Sequence, residues 1–169
     1  MDARTFLNNI LTVDTGEATG WAYWYGTKFP ETGEIKCPSK LLKDHFLMRN
    51  YMTDAFNILL YEISKHKSLS IVYLEGTQAY NSSISIAAIK KGSLFELSYL
   101  VGRYEQVCAD NGLDCEIKNA PEWKGQMTKE ATAAKIKILN GMTYPSVHIT
   151  DAVGFGFGIM KMLQWEKRK

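Results

Sequence analysis

Four side chains in this sequence have the types and positions needed to bind a hard metal cation. Asp14 closes the apolar run of residues 10–14, and Glu75 closes a second apolar run, residues 69–75. Side chains at the carboxyl ends of parallel strands meet at one edge of an open α/β sheet, and a right-handed crossover makes two such strands neighbours. Asp151 opens the last predicted helix three residues after His148, so both lie on the same side of a helical turn. We therefore expect three carboxylates and one imidazole to converge.

This donor set suits Mg²⁺, with Mn²⁺ as a substitute, better than zinc, which prefers cysteine and histidine. Two such ions about 4 Å apart can activate a water, hold a phosphodiester in line and stabilise the leaving oxygen. In that mechanism Asp14 would bridge the ions, and Glu75 and Asp151 would each complete one coordination shell. His148 would bind a metal ion or steer the attacking water, and the sequence does not choose between these roles.

Each of these residues also has an ordinary structural explanation. Asp14 could cap the turn that follows it, Asp151 could be a helix N-cap, and Glu75 could pair with a lysine. Taken singly, each explanation is about as good as the functional one. The joint placement of the residues favours phosphodiester hydrolysis.

The elements that must position these residues follow from the apolar periodicity. Gly-bearing turns separate three short strands at the start of the chain, which indicates an antiparallel meander, and long amphipathic runs then alternate with short apolar ones. The predicted strands are residues 8–14, 19–26, 31–37, 69–75 and 115–118, and the predicted helices are residues 43–65, 83–110, 129–140 and a last one that begins near residue 148 and runs to the tail 167–169. Residues 119–127 are predicted to form a loop. The order predicts an α/β protein with a mixed sheet, three antiparallel strands followed by parallel strands, and helices on both faces.

The chain resembles the RuvC-like Holliday-junction resolvases of the ribonuclease H-like superfamily, including those of phage type. Residues 11–16 (LTVDTG) with 20–22 (GWA), residues 72–75 (VYLE), the lysines of residues 90–92 (KKG) and residues 148–152 (HITDA) carry the resemblance in the family's order. It implies a single ribonuclease H-like nuclease domain, residues 1–169, and a homodimeric, Mg²⁺-dependent endonuclease that nicks four-way DNA junctions. The family places acids at the positions of Asp14, Glu75 and Asp151, and some members have a histidine at that of His148. Residues 120–125 match its lysine-bearing loop only loosely.

Basic and aromatic residues near the predicted site are candidates for DNA contacts. Lysines cluster in residues 118–137, and two more lie in the middle of the second predicted helix. As a group they would neutralise phosphates, although any single lysine is as easily a solvated surface residue. The resemblance also implies an aromatic wedge in the loop after Glu75, where a base would stack. The candidates are Tyr80, Lys90, Lys91, Lys118, Lys124 and Lys129.

Size and composition agree with one compact domain. The chain has 169 residues, of which 46% are hydrophobic, and a net charge of +2, which by itself neither favours nor excludes a polyanionic partner. Its 3 cysteines lack the spacing of a zinc site or a disulfide framework. Without a signal peptide or a membrane span, we expect a cytoplasmic protein. The second predicted helix has more apolar surface than one sheet face needs, which suggests a twofold interface.

Three other functions remain open at this stage. An actin-like ATPase or sugar kinase also has a phosphate loop after a strand-end aspartate, but it needs two duplicated domains. A nuclease of the same fold that acts on RNA or on an RNA–DNA hybrid is not excluded. A non-catalytic nucleic-acid-binding module is disfavoured, because carboxylates hinder phosphate binding.

Overall fold

Five strands form a single mixed sheet in this protein. The computed structural model describes residues 8–26, 29–77, 93–125 and 127–166, without the side chains of residue 8 and residues 161–166. The strands are β1 (Asn8–Asp14), β2 (Ala18–Tyr25), β3 (Glu31–Lys36), β4 (Ile71–Gly76) and β5 (Asp114–Asn119), and the helices are α1 (His45–His66), α2 (Ser93–Asp110), α3 (Ala120–Lys124), α4 (Lys129–Asn140) and α5 (Val147–Glu166).

The strand order β3-β2-β1-β4-β5 confirms the predicted mixed sheet. Strands β1, β2 and β3 pair antiparallel, while β4 pairs parallel with both β1 and β5. The long helix α1 connects β3 to β4, so the chain passes from one edge of the sheet to its interior. As a result, β1 and β4 are neighbours and end at the same edge.

Alternate residues of β1, β2 and β4 face two different hydrophobic clusters. In β1, Leu11 and Val13 pack against α1 and α2, whereas Ile10 belongs to the cluster formed with α3, α4 and α5. Thr12 faces α5, and its hydroxyl donates a 2.8 Å hydrogen bond to the carbonyl of Ala152. Because side chains alternate along a strand, Asp14 also lies on the α5 face.

Three helix boundaries follow from local capping interactions. The side chain of Asp44 accepts hydrogen bonds from the amides of Phe46 and Leu47 at the start of α1. Thr128 caps α4, because its hydroxyl accepts a hydrogen bond from the Ala131 amide. Gly141 ends α4 with a φ of 74°, which glycine adopts at little cost.

One sequence-based prediction of structure was wrong. Residues 119–127 are not entirely loop, because Ala120–Lys124 form the short helix α3. The cause is local: Pro121 lies in the first turn, and the Glu122 carboxylate accepts a hydrogen bond from the Asn119 amide. This helix buries Trp123 against α5.

Several other predictions concern residues outside those described. The first part of the second predicted helix, residues 83–92, and the basic tail, residues 167–169, belong to this group, although the described part of α2 ends at Asp110 as expected. Among the described residues, no helix has both the length and the apolar character needed to cross a membrane.

Candidate active site

A row of residues crosses the whole sheet at the level where β1 and β4 end. In β2, Gly20 lies between Asp14 of β1 and Glu34 of β3. On the other side, Val13 lies beside Leu74 in the parallel pair of β1 and β4, so Asp14 and Glu75 follow at the same level. The carboxylates of β1 and β4 therefore end neighbouring strands on the α5 face, as predicted.

Helix α5 brings the imidazole and the third carboxylate to this row. The Nδ1 atom of His148 lies 2.9 Å from Oδ2 of Asp14. Asp151 lies one turn further along α5 and is only 6% exposed. Gly20 makes this approach possible, because a Cβ there would overlap the backbone carbonyl of His148. The structure therefore describes all four predicted site residues. Asp14, Glu75 and Asp151 line one buried edge, and the half-buried His148 lies beside Asp14.

The structure also tests the ordinary explanations for the acids. Asp151 is not a helix N-cap, because Ser146 precedes α5 and its hydroxyl accepts a hydrogen bond from the His148 amide. In the turn after Asp14, the Gly16 amide bonds to the Thr19 hydroxyl rather than to the Asp14 carboxylate. Glu75 does face a lysine, as described below.

The electrostatic environment opposes ionisation of two of the acids, Asp14 and Glu75. Burial raises the pKa of Asp14, with a further contribution from the charge of Asp151, while the hydrogen bond with His148 opposes the increase. Burial, together with the charges of Asp14 and Asp151, raises the pKa of Glu75 to about 7. The hydrogen bond to Asp14 raises the pKa of His148. The carboxylates are close enough to repel one another, so a bound cation would stabilise this arrangement.

Two of the predicted lysines lie next to the acids. Lys124 Nζ is 3.8 Å from Glu75 Oε1, and Lys129 Nζ is 3.6 Å from Asp151 Oδ2. Lys118 is the partner of Glu75 in the β4–β5 register, but its amine pairs with Glu116 at 3.2 Å. These lysines reduce the excess negative charge of the edge. Tyr80, Lys90 and Lys91 lie outside the described residues.

The donor atoms are of the type that binds a hard cation, but they are not close enough together to coordinate one ion. In the described ranges, no three Asp, Glu, His or Cys side chains are grouped closely enough to hold an ion together. One oxygen of the site, Glu75 Oε2, is nevertheless buried without a hydrogen-bond partner. The Trp123 indole favours the charged form of Glu75, but its N–H is also buried without a hydrogen-bond partner, so the two do not reach bonding geometry. Unpaired carboxylate oxygen in a cluster of acids is the chemistry that Mg²⁺ binds.

Sequence reasoning missed one acid beside this site. Glu34 in β3 is on the same row and face as Asp14, and its side chain is only 10% exposed. Its Oε1 accepts a 2.8 Å hydrogen bond from the hydroxyl of Ser146. Burial raises the pKa of Glu34, but the bonds from Ser146 and Lys36 outweigh it and hold the pKa below its usual range. The available signal was the cross-strand alignment of Glu34, Gly20 and Asp14, which needs a known register.

A groove of about 760 Å³ opens beside the acids between α3, α4 and α5. Its walls are mainly apolar and include Trp123, Ile136 and Phe157, and Lys124 and Lys135 add positive charge. Lys124 lines this groove and also faces Glu75, so it lies between the groove and the acidic edge.

Neither the protein-family models nor the curated proteins include a match to this sequence. Solved structures do match. Thermus thermophilus RuvC in complex with a Holliday junction substrate has a TM-score of 0.65 and 10% identity, covering 92% of this chain and 94% of that chain. A second Thermus thermophilus RuvC structure has a TM-score of 0.65 and 11% identity, covering 92% and 95%. These bacterial neighbours give no support to a phage type. The chain therefore has the RuvC-like, ribonuclease H-like fold that its sequence predicted.

Proposed function

We propose that this protein is a metal-dependent endonuclease that hydrolyses phosphodiester bonds of four-way or other branched DNA, as a single nuclease domain. One observation supports the proposal: Asp14 and Glu75 end neighbouring strands, His148 is hydrogen-bonded to Asp14, and Asp151 is close enough to raise the pKa of Glu75. The similarity to a RuvC bound to a Holliday junction substrate supports the choice of branched DNA.

In this proposal Asp14, Glu75 and Asp151 hold Mg²⁺ or Mn²⁺, with His148 as a further candidate ligand. When bound, such ions activate a water and stabilise the leaving oxygen of a phosphodiester. A bound cation favours the ionised form of Asp14, which can only accept hydrogen bonds, so in the metal-bound site His148 Nδ1 would donate to Asp14 Oδ2. The Nε2 atom is then the ring atom that would contact a metal ion or the attacking water.

The lysines around the edge would hold the DNA backbone. Lys124 and Lys129 lie within 4 Å of site carboxylates and bring positive charge to where a scissile phosphate would lie. The proposed contacts also include the amines of Lys118, Lys90 and Lys91 and the aromatic ring of Tyr80. Because each neutralised phosphate releases counterions, binding should weaken steeply with salt.

We also propose a homodimer, because a four-way junction has twofold symmetry. Two aromatic residues of α2, Phe95 and Tyr99, are 66% and 54% exposed. On the neighbouring helix α1, Phe46 is 63% exposed, and Arg49 lies over the ring of Tyr99. This aromatic surface fits an interface formed by helices α1 and α2 on the sheet face opposite the acids.

The proposal is tested by cleavage of labelled nucleic acids. A four-way junction, a flap, a linear duplex and an RNA–DNA hybrid are each incubated with Mg²⁺ and with wild type, Asp14→Asn or Asp54→Asn. Asp54→Asn is the matched control, because Asp54 is an exposed carboxylate on α1. We expect wild type and the control to cut the junction. Asp14→Asn should still bind it but lose at least about a hundredfold in rate, because losing even an outer partner of a metal ligand costs about 10- to 100-fold.

Other results would identify the alternatives. Preferential cutting of the hybrid would move the substrate from branched DNA to RNA–DNA. Binding of the junction without any cutting would indicate a non-catalytic module. Equal rates for Asp14→Asn and wild type would refute the proposed site.

A further inference from the structure

The inference concerns Glu34, and it rests on the proposed function because it assigns this residue a part in the same site. Glu34, Gly20 and Asp14 are cross-strand neighbours in β3, β2 and β1. Both carboxylates of this row face α5, but the middle position has no side chain. The row therefore has a gap between two acids.

The first turn of α5 fills this gap. A Cβ at Gly20 would overlap the carbonyl of His148 and would lie 2.7 Å from the amide nitrogen of Ile149. The turn is in direct backbone contact with the sheet at this point. It cannot move towards β2, so only its lateral position and rotation remain to be set.

Each acid holds one side of this turn. Asp14 Oδ2 lies 2.9 Å from His148 Nδ1, and Glu34 Oε1 accepts a 2.8 Å hydrogen bond from the Ser146 hydroxyl. The same hydroxyl accepts a bond from the His148 amide, at 3.2 Å. A continuous chain of hydrogen bonds thus runs from Glu34 through Ser146 to His148 and then to Asp14.

Glu34 is engaged in a way that differs from a metal ligand. Its Oε1 is used by Ser146, and its Oε2 lies 3.0 Å from the amine of Lys36. Both oxygens therefore have protein partners, in contrast to Glu75, whose Oε2 has none.

We propose that Glu34 is a positioning residue: through Ser146 it holds the first turn of α5 so that the His148 ring stays on Asp14. Partners of this kind fix the orientation of a functional histidine, and their loss typically lowers activity by about 10- to 100-fold.

The test compares Glu34→Ala, Glu34→Gln and Ser146→Ala with a matched control, Glu31→Gln. Glu31 is at the other end of β3 and pairs with Lys67, away from the row. The first readout is the NMR signal of the imidazole nitrogens at one fixed pH. The chain has 3 histidines, so His45 and His66 serve as internal references. The second readout is kcat and KM for junction cleavage, and thermal unfolding verifies that each variant folds.

We expect Glu34→Ala and Ser146→Ala to shift the His148 Nδ1 signal and leave the two reference histidines unchanged. Their kcat should fall about 10-fold or more with KM unchanged. Glu34→Gln should have a smaller effect, because its amide oxygen can still accept from Ser146. Glu31→Gln should match wild type in both readouts.

Two results would overturn the proposal. One is an unchanged His148 signal in folded Glu34→Ala and Ser146→Ala. The other is a fall in kcat that Glu31→Gln reproduces, since this would indicate a general effect of β3. The NMR readout does not depend on cleavage, so a shifted His148 signal in a protein that cuts no nucleic acid would support the positioning role and refute the nuclease function.

Discussion

Among individual residues, Glu75 lies in an environment that disfavours its ionised form. Its side chain is 13% exposed, one of its oxygens has no hydrogen-bond partner, and two other carboxylates repel it. Lys124 offsets part of this repulsion at 3.8 Å. A residue kept in such an environment is typical of a site whose ligand supplies the missing charge.

Replacing Glu75 with glutamine should stabilise the metal-free protein, and the gain should depend on pH. The folded-state pKa of Glu75 is about 7 and its ordinary value is 4.5, so the ionised group disfavours folding. Below pH 4.5 the carboxyl is neutral in both states and the penalty is absent. The penalty grows as pH rises to 7 and is complete above it, at no more than about 3 kcal/mol.

The measurement is the free energy of unfolding of wild type and Glu75→Gln in a chelator, between pH 4.5 and pH 8. The difference between the two proteins should increase with pH, and Mg²⁺ should reduce it by stabilising wild type. Glu62→Gln, which changes a carboxylate that is 55% exposed, should show no such increase. A constant difference would contradict the expected environment of Glu75.

The prediction of the site rests on local signals. Asp14, Glu75, His148 and Asp151 were predicted as site residues because strand ends and helical spacing leave a direct trace in a single sequence. Glu34 was not found, because its place depends on the register of three strands and on a gap at Gly20. Tertiary alignments of this kind have no local signal.

Among the elements, α5 must lie unusually close to the sheet to deliver its two site residues. Gly156 lies against the indole of Trp24, and Gly154 and Gly158 lie against Trp123. Of these three glycines, Gly156 is the one that allows α5 to approach the sheet, because Trp24 lies in β2. Gly158 accommodates α3, whose existence the sequence did not predict, and Gly154 accommodates both α3 and Thr132 of α4.

Gly156→Ala should destabilise the protein although alanine favours helices by about 1 kcal/mol. The new Cβ would overlap the Trp24 indole, which cannot easily move because its Nε1 donates to Thr12 and Thr12 donates to Ala152. Overpacking of this kind costs about 1–3 kcal/mol or more.

The matched control is Gly102→Ala in α2, where an added Cβ meets nothing within 4 Å. This change should stabilise the protein by about 1 kcal/mol. Denaturant midpoints of the two variants would give opposite shifts from wild type. Equal shifts would mean that helix propensity alone governs both positions, and that α5 does not press on Trp24.

For the whole molecule, the fold is similar to that of RuvC although the two sequences share little identity. The chain superposes on RuvC at a TM-score of 0.65 with 10% identity. The fold could be predicted from the periodicity of apolar residues and from the order of strands and helices. Both are visible in a single sequence without close relatives. The assembly of the molecule depends on surface residues that such patterns do not specify.

Phe95→Glu should convert a wild-type dimer into a monomer. Phe95 is 66% exposed on α2, beside Tyr99, so a dimer through this face would bury it and would be disrupted by an introduced charge. The matched control is Ile138→Glu on α4. The Ile138 side chain is 84% exposed on another surface, so this change should leave the dimer intact.

Sedimentation velocity over a range of concentrations measures the oligomeric state of both variants. A monomeric wild type, or dissociation by Ile138→Glu with Phe95→Glu still dimeric, would contradict the interface. A monomer should also nick a four-way junction on one strand per binding event, because each subunit of a symmetric dimer contributes one site to one of two equivalent strands.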